Sequence, residues 1–206
     1  VGLRWPLGPF ERMNQIGIAQ VRDRVLEYTS LHDVPTPDVL LNQGDTPFTL
    51  QQVHSNREEG VATITINRPD ALNALSPSLV AELERLFDDA AADPAVEGIV
   101  IRGAGKAFVA GADLKFFKDN LDRNNVEDIV EFTARGQALF QRIDDCPKRV
   151  VMLLDGLSLG GGSELALCGD IIIATDRGTL GFPETGLGIY PGLGGTQRAA
   201  RRCGIP

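Results

Sequence analysis

The sequence predicts an α/β protein with right-handed crossovers, and three observations carry this. Short β-branched or aliphatic runs, VATITI at 61–66, IVI at 99–101, VVMLL at 150–154 and III at 171–173, have the length and composition of strands. Amphipathic stretches at helical spacing stand among them, after Ser76-Pro77 and across 126–143. Glycine-rich turns follow two of the strands, in GKAFVAGADLK (105–115) and GLSLGGGSELALCGD (156–170). Strands alternating with helices in this way are the pattern of the α/β class.

Taken in order, Trp5-Pro6-Leu7-Gly8-Pro9-Phe10 is a rigid opening, and residues 1–30 read as helical after it. Met13, Ile16, Val21, Val25 and Leu26 recur at roughly helical spacing, with Gly17 as a break. Pro35, Pro37, Gly44 and Pro47 make 31–47 a linker, and a different texture begins near Thr46. The strand at 61–66 ends at Asn67-Arg68-Pro69-Asp70. Ser76 is an N-cap and Pro77 a first-turn proline. Leu79, Val80, Leu83, Leu86, Phe87 and Ala90 then share one helical face. Ile99–Ile101 is a buried strand closed by Gly103. The helix over 126–143 turns Val126, Ile129, Val130, Leu139, Phe140 and Ile143 inward, and 150–154 and 171–173 are further buried strands. There is no internal repeat and no low-complexity tract.

Composition narrows the chemistry. A chain of 206 residues fits one ordinary domain plus something extra. A net charge of −8 argues against nucleic acid or an anionic membrane as partner, but leaves room for a phosphorylated ligand held by backbone amides and a few lysines. Three cysteines with no CxxC spacing make neither a disulfide framework nor a zinc site, and fit reduced thiols in a cytoplasm. Two histidines, His32 and His54, are too few for a His cluster or a Ser-His-Asp set. No apolar run approaches membrane-spanning length and no signal-peptide pattern opens the chain. Val1 and Pro206 read as cuts rather than natural ends.

The glycine run Gly160–Gly162 follows a strand and opens a helix near Gly161. The first amides of a helix have no internal partners, and a missing Cβ lets a ligand oxygen approach them. That is how an anion site or an oxyanion hole is built. The same run reads equally as a helix packed closely on a sheet. A nucleotide loop is excluded: there is no GxxxxGK[ST] and no GxGxxG. Ala110, Gly111 and Ala112, before Asp113, form a second small-residue turn whose amide could converge with the first on one carbonyl oxygen; an ordinary turn capped by Asp113 is the plainer reading. Glu164 lies in an apolar helix and Glu184 between Pro183 and Gly186. Two carboxylates in different surroundings can divide acid and base roles. A first-turn glutamate and a solvated loop residue are the plainer readings.

Together, NRPDALNAL (67–75), KAFVAGADLKFF (106–117), DGLSLGGGSELAL (155–167) and GFPETGLGIYPGLGGTQR (181–198) resemble the crotonase family, the enoyl-CoA hydratases and isomerases, across most of 48–206. The resemblance implies a crotonase-like β-β-α superhelix with two stacked sheets, lacking the C-terminal helices that cover the site and support trimers in the family. It implies an acyl-CoA thioester as substrate, with coenzyme A carried by that substrate, no other cofactor and no metal. It places an oxyanion hole at the amides of Ala112 and Gly161, and catalytic carboxylates at Glu164 and Glu184. Ala71, Leu72, Ala110, Asp113 and Lys115 fall on the family's CoA-binding surface, and Tyr190 and Pro191 where it lines an acyl pocket. Both glutamates together imply a hydratase. An isomerase of the family, or a non-catalytic acyl-CoA-binding module, are the alternatives. A cytoplasmic, trimer-based homo-oligomer is expected.

Residues 2–28 resemble the helical C-terminal domain of 3-hydroxyacyl-CoA dehydrogenases, chiefly at Trp5–Phe10. The implied division is a dehydrogenase remnant with linker at 1–45 and a crotonase domain at 46–206, a piece of a dehydrogenase–hydratase fusion in fatty acid β-oxidation or a related acyl-CoA pathway. NAD would serve only the full-length fusion.

Overall fold

The computed structural model of the chain describes residues 9–46 and 51–204, the side chain of Glu11 excepted. The Trp5–Gly8 part of the expected rigid opening lies outside them. The chain divides into two compact units, one up to Leu50 and one from Gln51.

The first unit is helical. Helices α1 (Pro9–Ile16) and α2 (Ile18–His32) meet at Gly17, the break expected there. The expected linker is not wholly irregular: Asp38–Asn42 forms a short helix, α3, with Leu40 buried. Pro37, at φ −60°, leads the chain into its first turn, and Asp38 complements the positive end of the helix.

The second unit holds β1 (Val53–Glu58), β2 (Val61–Ile66), α4 (Pro77–Ala92), β3 (Gly98–Gly103), β4 (Ala107–Ala110), α5 (Leu114–Asp122), α6 (Val126–Asp144), β5 (Arg149–Leu154), β6 (Leu157–Leu159), α7 (Gly161–Ala166), β7 (Ile171–Ala174), β8 (Thr179–Gly181) and α8 (Gly195–Cys203). A five-stranded sheet runs β1-β2-β3-β5-β7, parallel except for the β1–β2 hairpin. A small sheet of β4-β6-β8, all parallel, contacts the large one through β4, which lies against β3 and β5.

Local signals explain the helices. Ser76 Oγ accepts from the Leu79 amide at 3.3 Å and Pro77 opens α4. All six apolar positions expected on its inner face are buried. In α6 the buried stripe is Phe132, Gly136, Leu139, Phe140 and Ile143. Val126 and Val130, expected to face in, are 51% and 61% exposed. The stripe continues back through Ile129 and leaves both valines off it. Strand β7, expected to be buried, is the edge of its sheet, and Ile171 and Ile173 are 45% and 52% exposed there. Among the described residues no helix is long and apolar enough to cross a membrane.

Candidate active site

The small sheet sets the geometry. Strands β4 and β6 are parallel neighbours, and Ala110 pairs with Leu159. Two residues further on, the two chains reach Ala112 and Gly161. Parallel neighbours lie about 4.8 Å apart, so their exits stay together. A Cβ placed on Gly161 would indeed lie 3.9 Å from Ala112 N.

The orientation of the Ala112 amide follows from a bridge to Leu75. Leu75 N donates to Gly111 O at 2.9 Å, and Asp113 N donates to Leu75 O at 2.9 Å. The 111–112 peptide is trans, so with its oxygen toward Leu75 its N–H points the other way. Gly161 opens α7, where the first amides lack intrahelical acceptors. Among the described residues neither amide donates to another group of the chain. Gly162 accounts for the close-packing reading as well, because it sits against the Val109 carbonyl of β4.

Glu164 lies one turn into α7 and is 2% exposed. Its Oε1 accepts from the amides of Leu193 at 2.7 Å and Gly195 at 2.8 Å. Burial pushes this carboxyl above its ordinary range; the two amides and Arg198 oppose the shift, and the nearby charge of Glu184 reinforces it. A Cβ on Gly195 would meet Glu164 Cγ at 2.7 Å, so only glycine lets this turn close on the carboxylate.

Glu184 belongs to a 3-10 turn, Pro183–Leu187, and is 9% exposed. Its Oε2 is buried and has no hydrogen-bond partner. Its Oε1 lies against Gly160, where a Cβ would come within 2.7 Å. Gly160 has φ 48° and ψ −119°, a conformation that side chains disfavour. The glycine immediately before the Gly161 amide is therefore also the seat of the second carboxylate. Cys168, at the end of α7, donates to the Glu164 carbonyl, and burial pushes its thiol up to about 12, so it offers no rival nucleophile.

Two amides without acceptors among the described residues thus lie close together near two buried carboxylates, and the sequence profile described as enoyl-CoA hydratase/isomerase matches residues 56–205.

The chain belongs to the enoyl-CoA hydratase/isomerase family.

The crotonyl-CoA hydratase of Syntrophomonas wolfei is 45% identical over 149 residues, 72% of this chain and 56% of that protein. The short-chain-enoyl-CoA hydratase of Clostridium acetobutylicum is 41% identical over 157 residues, 76% of this chain and 59% of that protein. The crystal structure of enoyl-CoA hydratase from Bacillus anthracis is similar with a TM-score of 0.69 and 34% identity, over 75% of this chain and 59% of that one. The chain spans somewhat over half the length of these relatives.

Hydrogen bonds join the segments that carry Ala71, Leu72, Ala110, Asp113 and Lys115 into one rim. Ala71 and Leu72 lie at the end of a 3-10 turn, Pro69–Ala71, and Leu72 is 41% exposed. The Leu72 carbonyl accepts from Ala110 N at 3.0 Å, which joins the two segments. Asn73 holds this rim in place from inside. It is fully buried, accepts from Arg68 N at 2.8 Å, and donates to Ala104 O and Ala107 O at 2.9 and 2.8 Å. Asp113 caps α5 through Lys115 N at 3.0 Å and pairs with Arg68 at 2.7 Å. Burial raises its carboxyl, but Arg68 and the capping amides outweigh that and hold it below the ordinary range. Its carboxylate is therefore occupied structurally, while Lys115 is exposed to solvent. Tyr190 is 76% exposed.

Sequence reasoning gave no role to Asn73, Leu193, Gly195 or Arg198. Asn73 lies inside NRPDALNAL and the other three inside GFPETGLGIYPGLGGTQR. Two of the roles are played by backbone amides, which no side-chain pattern announces.

Proposed function

We propose that the protein hydrates 2-enoyl-CoA thioesters to 3-hydroxyacyl-CoA. The observation that carries this is the pair of unoccupied amides, Ala112 and Gly161, beside two buried carboxylates of different surroundings. The thioester oxygen accepts from both amides. As water adds to Cβ, negative charge grows on that oxygen, and fixed donors stabilise it without reorganising. One such donor contributes about 10²–10³ in rate. Glu164, one oxygen pinned by Leu193 and Gly195, takes the proton of the attacking water with the other, and burial raises its affinity for that proton. Glu184, with its buried unpartnered Oε2, gives the proton it carries to Cα, and the proton taken up by Glu164 replaces it before the next turnover. Water is thus added across the double bond with no net change of charge. Both carboxylates bracketing one water favour hydration over isomerisation, which needs one shuttle.

Coenzyme A enters on the substrate, across the rim of Ala71, Leu72, Ala110 and Lys115; no other cofactor and no metal takes part in this reading. We assign the hydratase reaction to a cytoplasmic, trimer-based assembly. The helical first unit supports reading 1–45 as related to a 3-hydroxyacyl-CoA dehydrogenase C-terminal domain within a fusion whose NAD site lies elsewhere. The test is incubation with crotonyl-CoA, following loss of the enone absorbance. Unchanged absorbance from folded protein overturns the hydratase reading, and absence of an NAD-dependent partner activity in the full gene product overturns the fusion.

A further inference from the structure

Arg198, on α8, is 7% exposed. Its guanidinium makes three separate bonds: Nη1 to Leu193 O at 3.1 Å, Nε to Asp144 Oδ2 at 3.0 Å and Nη2 to Gln141 Oε1 at 3.2 Å. Asp144 and Gln141 both belong to α6. The same helix holds the 192–195 turn twice more. Gln137 Nε2 donates to Gly192 O at 2.7 Å, and Leu193 sits on Gly136 so closely that a Cβ there would lie 2.8 Å from Leu193 Cδ2. From this turn the amides of Leu193 and Gly195 reach Glu164 Oε1.

We propose that Arg198 is a positioning residue for Glu164: it clamps the 192–195 turn between α6 and α8, so that one oxygen of Glu164 is fixed and the other is aimed at the reacting water. The role rests on the hydratase reading of Glu164. A buried guanidinium must be paired, and Asp144 pairs it. Pairing alone does not require the third bond. The guanidinium is a rigid planar fork, so acceptors on α6 define its plane and thereby the place of the Leu193 carbonyl. A lysine ammonium is a single point on a flexible stem and cannot hold three acceptors at these positions. The charged groups facing Glu164 are Glu184 from its 3-10 turn and Arg198 from α8, while the Cys168 thiol, just past α7, bonds the Glu164 backbone carbonyl. The hydrogen bonds from the two turn amides are what chiefly offsets its burial, so a loosened turn leaves the carboxylate less supported.

The test compares Arg198→Lys and Asp144→Asn with Arg202→Lys. Arg202 lies on the same helix but bonds the Leu167 and Gly169 carbonyls, away from the turn. Two quantities are read: hydration of crotonyl-CoA as kcat and KM, and the titration of Glu164 itself by carboxyl-labelled NMR on folded protein. For Arg198→Lys the expected result is a kcat lower by about 10- to 100-fold, the cost of a displacement near 1 Å, with KM little changed. The Glu164 titration moves to higher pH. Asp144→Asn does the same more weakly, and Arg202→Lys lowers thermal stability while moving neither. An unmoved Glu164 titration in folded Arg198→Lys overturns the proposal; if that variant does not fold, an unmoved titration in Asp144→Asn does so. The titration needs no turnover, so inactivity of the unsubstituted protein would count against the hydratase reading and leave the Arg198 result standing.

Discussion

Ala112 N lies 3.9 Å from the point where a side chain on Gly161 would begin. The two residues are 49 apart in sequence, yet each stands two positions beyond a partner in the same parallel rung, Ala110 and Leu159. The β4–β6 register thereby brings two amides from separate loops to one place, and register is a property of backbone pairing that a one-residue slip would destroy.

Gly160→Ala is expected to damage the site more than the fold. The new methyl would come within 2.7 Å of Glu184 Oε1 at a φ of 48°. Displacing that carboxylate lowers kcat for crotonyl-CoA by about 10²-fold, while the backbone strain costs about 1–3 kcal/mol. Steady-state kinetics beside urea unfolding check it; unchanged kcat in a folded variant would exclude Glu184 from the chemistry.

Glu164→Gln separates activity from stability. Removing the base lowers hydration by about 10²–10⁴-fold. Burial raises the folded-state proton affinity of Glu164 above its unfolded value. Such a group favours folding at low pH, and that support is lost as pH rises through the folded-state value. At neutral pH the ionised side chain is therefore a cost, which glutamine removes while still accepting the Leu193 and Gly195 amides. Thermal denaturation at neutral pH should therefore show a raised Tm for Glu164→Gln. The gain should vanish below the ordinary carboxylate range. A lower Tm at neutral pH would contradict the account.

Asn73→Ala strands one amide and two carbonyls in the interior, at a φ of 59° that asparagine tolerates better than alanine. The expected loss is about 2–4 kcal/mol in urea unfolding. Asn73→Asp should be no milder, because a carboxylate cannot donate to Ala104 and Ala107. A loss below 0.5 kcal/mol, the scatter of about that size seen at neutral surface sites, would remove Asn73 from the rim's support.

Lys115 and Asp113 should part company. Lys115→Ala is expected to raise KM for crotonyl-CoA by about 2- to 5-fold at low salt, the reach of one exposed charge pair, and to leave crotonyl-pantetheine unaffected. Asp113→Ala should cost about 1–2 kcal/mol through the lost α5 cap and leave KM alone. Equal KM effects from both would return Asp113 to the substrate surface.

Much of the framework was legible one segment at a time. Ser76-Pro77 and the six-residue apolar face of α4 are local signals with local consequences, as is the break at Gly17. The strands of the large sheet beyond its first hairpin strand, β1, stood out as apolar runs. VHSNRE did not, because five of its six residues are exposed and it pairs only on one side. Strands β4, β6 and β8 are three or four residues long, too short for periodicity to show. Val126 and Val130 are apolar yet exposed, because apolarity alone does not say which stripe of α6 meets the core.

The sequence by itself determined the alternation of strands and helices, the glycine turns and the two acidic positions, and through its motifs the family. Which amides lie side by side, which oxygen of Glu164 is tied down, and how Arg198 reaches the turn that does it were decided only by tertiary structure. The reason is physical: a side chain is written in the sequence, whereas the direction of a peptide N–H depends on the strand register and the neighbouring turns that orient its plane.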